Sequence, residues 1–298
     1  MRIGVVVLPE QRWSEAAARW RAVEQMGFDH AWTYDHLAWR DLAAEPWFAT
    51  VPTLAAAAVV TSRVRLGTWV ASPNFRQPVP FAKELMSLDD LSQGRFLLGV
   101  GAGGTGWDAT VLGKDELTPG QRVDRFGEFV QVLDLLLTQP VTTFRGRWYS
   151  AVEAFQEPGC VQRPRLPFVV AANGPRAMAV AVRHGRAWAT SGPEGCAGEG
   201  ERWWRGVADL AGRFDDVAAG AGRDPSAPDR YLSVDVPELA LASLEHFQDV
   251  VGRAAALGFT DVVTHWPRAQ GPYAGDERVL EQVAAELDGM RLPGTRTG

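Results

Sequence analysis

The sequence predicts a single (β/α)8 TIM barrel with a small hairpin-like insertion before strand five, and three observations carry that expectation. Short apolar runs alternate with helix-patterned segments about eight times along the 298 residues. Most of these runs end at small or polar residues, as buried parallel strands do when they open into loops. Eight such units at this length favour a closed barrel over an open doubly wound sheet, so residues 1–298 are read as one domain.

Strands are expected at residues 3–8, 30–34, 65–71, 96–101, 168–172, 187–190, 231–236 and 261–265, which are rich in Val, Ile, Leu, Trp or Phe. The first helix is expected at 14–26, with Ser14 as its cap and Gly27 as its stop. Further helices are expected at 46–61, 80–91, 121–137, 175–184, 201–218, 242–257 and 277–287. The helix at 121–137 places Val123, Phe126, Val130, Leu133 and Leu137 close to a 3.6-residue period. The stretch 141–167 fits neither pattern and reads as a hairpin turning at Gly146.

Composition narrows the function. Apolar residues make up 46% and charged ones 22%, an ordinary globular balance. A net charge of −6 argues against nonspecific nucleic-acid binding, which needs a basic surface to displace counterions. The apolar run at residues 3–7 is too short for a signal peptide, and no stretch nears the roughly 20 apolar residues of a membrane helix. Cys160 and Cys196 have no C-x-x-C partner and no histidines at ligand spacing, which disfavours zinc and disulfides. A soluble, cytoplasmic protein without a metal is expected.

In such barrels chemistry gathers at the C-terminal strand ends. Strand two ends Tyr34-Asp35-His36, and Asp35-His36 is the leading candidate for proton chemistry, because imidazole titrates near neutrality. The plain alternative is that Asp35 caps the loop and His36 bonds a carbonyl. Strand five ends Asn173-Gly174-Pro175-Arg176, where a Gly-Pro turn opens a helix and exposes N–H groups to an anion, with Arg176 adding a donor fork. Thr190 and Ser191 offer hydroxyls to the same anion. Trp39, Trp69, Trp107 and Trp266 stand near strand ends among 12 tryptophans and suit the walls of a site for a flat ring. Asp108 and His265 complete the candidate substrate pocket, while His30, His184 and His246 have no patterned partners. The glycines from Gly99 to Gly104 form neither a dinucleotide fingerprint nor a P-loop, and no G-x-S-x-G elbow is present.

The set Met26-Gly27-Phe28-Asp29, Tyr34-Asp35-His36, Val64-Arg65-Leu66-Gly67-Thr68 and Lys83 through Leu91 recurs in a known pattern. Leu91-Ser92-Gln93-Gly94-Arg95-Phe96 running into Gly99-Val100-Gly101-Ala102-Gly103 is its most specific piece. Arg122, Phe126 and Glu128, with Ala171-Ala172-Asn173-Gly174, complete it. Together they resemble the bacterial luciferase-like family of flavin- and deazaflavin-dependent oxidoreductases, over nearly the whole chain. The resemblance implies a barrel holding FMN or coenzyme F420 at its mouth, in a homodimer. Aspartate then histidine after strand two is similar to the F420-binding branch, where Asp35 would contact the ring system and His36 lie beside its reactive face. A cis peptide near Trp69-Val70 is implied behind the ring, with Val70, Ala71 and Ala102 in the cofactor-contacting set. The cofactor phosphate is implied near Asn173, Gly174 and Thr190, with Pro175, Arg176 and Ser191 beside it.

Two departures stand out. Sugar-phosphate dehydrogenases of the family carry an acid where this chain has Gly104, and they hold a substrate phosphate with lysines that are absent here after Lys114. The leading expectation is hydride transfer between F420 and a small organic substrate, with Asp35 orienting the ring and His36 as acid or base. The alternative is an FMN monooxygenase using oxygen and a reductase that supplies reduced flavin. An alternative of another class is a cofactor-binding protein without catalysis.

Overall fold

The computed structural model describes residues 1–291 apart from Ala197. Its strands are β1 (Arg2–Val6), β2 (His30–Thr33), β3 (Arg65–Thr68), β4 (Phe96–Gly101), β5 (Val141–Arg145), β6 (Ser150–Phe155), β7 (Phe168–Ala171), β8 (Ala187–Thr190), β9 (Asp229–Ser233) and β10 (Asp261–His265). Eight of them pair in parallel as a closed barrel in the order β1–β10–β9–β8–β7–β4–β3–β2, while β5 and β6 form a separate antiparallel hairpin. The helices are α1 (Trp13–Gln25), α2 (Thr50–Val60), α3 (Pro78–Leu91), α4 (Trp107–Thr110), α5 (Pro119–Thr138), α6 (Pro175–His184), α7 (Gly200–Gly220), α8 (Leu244–Ala256), α9 (Glu277–Ala285) and α10 (Leu287–Met290). Among the described residues no helix is long and apolar enough to cross a membrane.

Side-chain alternation along each strand separates two cores. Trp20, Phe81, Phe126, Phe129, Trp188, Phe214 and Phe247 are buried in the layer between strands and helices. Val6, Trp32, Leu97, Val169, Tyr231 and Val263 fill the barrel itself. Each such side chain contributes about 1.5–3 kcal/mol on burial. Glycine makes room for the large interior rings. A Cβ on Gly4 would lie 1.8 Å from His30 Nδ1, and one on Gly67 would lie 2.4 Å from the Trp32 ring.

The N-terminal end of the barrel is closed by ions. Arg2 Nε and Nη2 donate to Asp261 at 2.7 and 2.6 Å, and Arg2 also pairs with Asp229. His30 Nε2 lies 3.0 Å from Asp261 Oδ1, and its Nδ1 accepts from Trp32 Nε1 at 2.7 Å. His30 therefore has a partner that no local pattern marks, because Asp261 comes from β10, 231 residues away.

Several boundaries move for physical reasons. Arg12, not Ser14, is the N-cap of α1, with no side-chain cap bond. α2 begins at Thr50, after a loop that Phe48 N ties to Pro9 O, so residues 46–49 are not helical. β3 ends at Thr68, just before the cis Trp69–Val70 bond, and Ala71 resumes only as an isolated bridge to Val100. β9 lies earlier than 231–236, because Ala187 on β8 pairs with Asp229.

Two residues of the recurring set, Arg95 and Glu128, hold turns. Arg95 donates to the carbonyls of Ala58, Thr61 and Val64, tying the end of α2 to β3. Glu128 on α5 accepts from the backbone N–H groups of Arg147, Trp148 and Tyr149, which pins the tip of the β5–β6 hairpin.

Candidate active site

The loop leaving β2 sends neighbouring residues to different partners. His36 Nδ1 lies 2.5 Å from Asp108 Oδ2, and the other Asp108 oxygen accepts from Leu37 N at 2.9 Å. A carboxylate can only accept, so Nδ1 carries the proton, and Nε2 has no hydrogen-bond partner among the described residues in an imidazole that is 31% exposed. The backbone beneath it is fixed by Trp47 Nε1 donating to His36 O and Thr50 Oγ1 donating to Tyr34 O, both at 2.8 Å. Asp35 is buried, and Arg76 takes both its oxygens, at 3.0 and 2.6 Å. Arg76 in turn lies over the Phe75 and Phe81 rings and pairs with Glu84. Burial pushes the Glu84 carboxyl up, against the pull of Arg76.

A second constellation lines the mouth beside it. His265 Nδ1 lies 2.6 Å from Asp235 Oδ2, and His265 Nε2 lies 2.7 Å from the Tyr34 hydroxyl. Tyr34 and Tyr273 hydroxyls are 2.8 Å apart, and the Tyr273 ring stacks on His265 at 3.6 Å. Burial pushes the Tyr34 phenol well above its usual value, with the nearby Tyr273 and Asp235 adding to it; burial raises Tyr273 as well. Both stay protonated in any ordinary buffer. Trp39 stacks on Tyr273 and tilts against Tyr34, and Trp47 tilts against Tyr34, which completes an aromatic wall.

The glycine turn after β4 closes over Asn74. A Cβ at Gly103 (φ +76°) would lie within 2.8 Å of the Asn74 amide, which explains the small residue there. Asn74 donates to Gly104 O and accepts from Arg125 Nη2 at 2.6 Å. The Arg125 Nε beside it is buried with no partner among the described residues, and burial lowers the affinity of this guanidinium for its proton.

At the end of β7, Asn173 Nδ2 donates to Gly192 O, Asn173 Oδ1 accepts from Thr190 Oγ1 at 2.6 Å, and Thr190 Oγ1 accepts from Gly192 N. Helix α6 follows with Pro175 at its first position and no side-chain cap. Its first internal bond runs from Met178 N to Gly174 O, so the N–H groups of Arg176 and Ala177 have no acceptor within the helix. These donors and the Asn173–Thr190 pair form a chemistry suited to phosphate.

The structure therefore brings together His36, Asp108, Trp39 and, through Tyr34, His265. It places Trp69, half-buried, against Trp32 and Tyr231 inside the barrel. Val70 packs where Cβ atoms on Gly99 and Gly101 would stand, and Ala71 exchanges backbone bonds with Gly99 and Gly101. Ala102 is half-buried against the outer core. Two expected residues lie elsewhere. Trp266 follows His265 by one position, so alternation turns it outward, where it donates to Glu277 and lies under Arg19. Arg176 is 60% exposed and pairs with Asp124 of α5 rather than standing over the helix N-terminus. Trp107 is 58% exposed at the start of α4, and Ser191 presents its carbonyl to Trp203 Nε1.

Asp235, Tyr273, Arg76, Asn74 and Arg125 were not anticipated. Asp235 carried a usable signal, a carboxylate at the C-terminal end of the seventh expected strand. The others sit in loops or on α5, with no period or motif to mark them.

Comparison with known proteins gives the family and the fold. Residues 1–237 match the family model described as luciferase-like monooxygenase. An F420-dependent hydroxymycolic acid dehydrogenase of Mycobacterium tuberculosis is 30% identical over 236 residues, covering 75% of this chain and 59% of that one. A 4-hydroxyprotoasukamycin monooxygenase of Streptomyces nodosus subsp. asukaensis is 31% identical over 265 residues, covering 86% of this chain and 63% of that one. An F420-dependent secondary alcohol dehydrogenase, solved with an F420–acetone adduct, shares the fold with a TM-score of 0.80 at 18% identity, over 99% of both chains.

Proposed function

The chain belongs to the luciferase-like monooxygenase family, a family of oxidoreductases, and from that premise we propose that it moves a hydride between coenzyme F420 and a small, unphosphorylated organic substrate. One observation carries the reading: at the end of β2, beside an aromatic wall, His36 is held by Asp108 with its Nε2 open. A bound deazaflavin would supply the carbon that gives or takes the hydride. The chain's own residues fit such a group. Trp39, Trp69 and the segment 69–71 offer apolar area for a flat ring, and the second Nδ2 hydrogen of Asn173 and the uncapped N-terminus of α6 offer donors for its phosphate.

In this reading His36 Nε2 accepts a hydrogen bond at the reacting pair, and Asp108 sets its tautomer. Asp35 acts through Arg76, fixing the backbone that carries His36. Asp108 stands in for the acid that Gly104 lacks, reaching the mouth from α4 rather than from the glycine turn. The absence of lysines after Lys114 supports an unphosphorylated substrate. We take the working form to be a cytoplasmic homodimer.

The test is a parallel titration of the purified protein with F420 and FMN, followed by fluorescence. Micromolar F420 binding with FMN much weaker is the expected result; the reverse order overturns the reading. The monooxygenase relative favours one second reading, an FMN-dependent hydroxylation of a small molecule with a reductase supplying reduced flavin. Oxygen consumption coupled to substrate hydroxylation would establish it instead.

A further inference from the structure

We propose that Asp235, His265, Tyr34 and Tyr273 form a proton relay into the mouth, separate from the His36–Asp108 pair, with His265 Nε2 as the resting place of the proton and the Tyr273 hydroxyl as its outlet. This assignment rests on the hydride-transfer reading above and adds to it the route taken by the substrate's hydroxyl proton.

The direction of each bond follows from its neighbours. Asp235 Oδ1 accepts from Ala240 N at 2.8 Å, Oδ2 accepts from His265 N at 2.8 Å, and the Thr264 hydroxyl lies 3.1–3.2 Å from both. With so many donors aimed at it, Asp235 is a carboxylate and His265 Nδ1 must be the donor in their 2.6 Å contact. That leaves Nε2 as the acceptor for Tyr34. The Tyr34 oxygen then accepts from Tyr273, and the Tyr273 oxygen is left to accept a proton from outside. His265 and Asp235 are 2% and 1% exposed, so water does not compete with this path. Arg40 and Asp235 are the charged groups whose fields reach both hydroxyls, and the His36 ring lies edge-on to Tyr34.

The step balances. As an alcohol becomes a carbonyl, its C–H bond breaks with the electron pair leaving as hydride to the bound deazaflavin, which is reduced while the alcohol is oxidised. The alcohol O–H proton passes to the Tyr273 oxygen, the Tyr273 proton to Tyr34, and the Tyr34 proton to His265 Nε2. The product state is a carbonyl that accepts from Tyr273 and an imidazolium paired with Asp235. Reversal of every bond direction serves the reduction of a carbonyl.

Two readouts test this. The first needs no cofactor: nitrogen NMR of the histidine side chains across pH, in the wild-type protein and in Tyr34→Phe. The expected result is a proton on Nδ1 of His265 and a shifted His265 titration once Tyr34 loses its hydroxyl; an unmoved titration overturns the relay. The second is turnover of secondary alcohols with F420. In Tyr34→Phe and Tyr273→Phe, kcat should fall roughly tenfold or more, with KM within a few-fold and a displaced pH profile. Wild-type kcat and pH profile in both variants overturn the relay. If the wild type shows no F420-linked turnover, the hydride-transfer reading fails, and the proposed proton route fails with it. The NMR result then decides only whether the four residues are coupled.

Discussion

The two ends of the barrel each hold a buried Asp–His pair with one member on β10, yet they do opposite things. At the closed end, His30 meets Asp261, and Arg2 neutralises the carboxylate while Trp32 donates to the other imidazole nitrogen. An indole N–H can donate but not accept, so the chain of bonds stops there. At the mouth, Asp235 and His265 lead instead to the hydroxyls of Tyr34 and Tyr273, which both donate and accept. What terminates the network, not the Asp–His pair itself, separates a structural plug from a path for protons. His36 and Asp108 form a third pair that is open to the mouth at Nε2.

The largest effect that sharpens this contrast is expected at the mouth. His36→Ala should lower kcat by about 10²–10⁴-fold while F420 affinity stays within a few-fold, as steady-state kinetics and titration would read. Unchanged turnover removes His36 from the chemistry. Breaking the closed end should do the reverse. Asp261→Ala strands Arg2 and His30 and should cost about 3–5 kcal/mol in urea unfolding, with kcat per folded molecule unaltered.

A pH experiment addresses the same plug. Burial pushes the Asp261 carboxyl up, but hydrogen bonds from Arg2 and His30 outweigh it and hold it at about 2. Because the folded value lies below the unfolded one, this stabilisation is full above about pH 4 and is lost as pH falls toward 2; it amounts to about 2 kcal/mol. Asp261→Asn should flatten that part of the stability-against-pH curve. Smallest of all, Trp32→Phe removes the donor to His30 and should cost about 1–3 kcal/mol while leaving the pH profile of kcat in place. A displaced profile would show that the two ends are coupled.

Much of this architecture was legible in the chain. The apolar runs located all eight barrel strands, and Gly146 marked the turn of the hairpin. Asp35-His36 drew attention for its place at a strand end, and Asp108 for its nearness to the glycines. What the pattern did not convey was that His36 pairs with Asp108 across 72 residues while Asp35 turns to Arg76. Trp266 illustrates the same gap, since being near a strand end does not say which face of the strand a residue takes.

The sequence by itself determined the apolar runs and helical patterns, the closed parallel barrel and the family, because these follow from local apolar spacing and short motifs. Only the tertiary structure decided the pairings: His265 with Asp235 and Tyr34, His30 with Asp261, Arg176 with Asp124. Each joins residues from elements far apart in the chain, and hydrogen-bond direction depends on the full set of donors around an atom. Local sequence holds no record of that set until the barrel closes and brings the strand ends within reach.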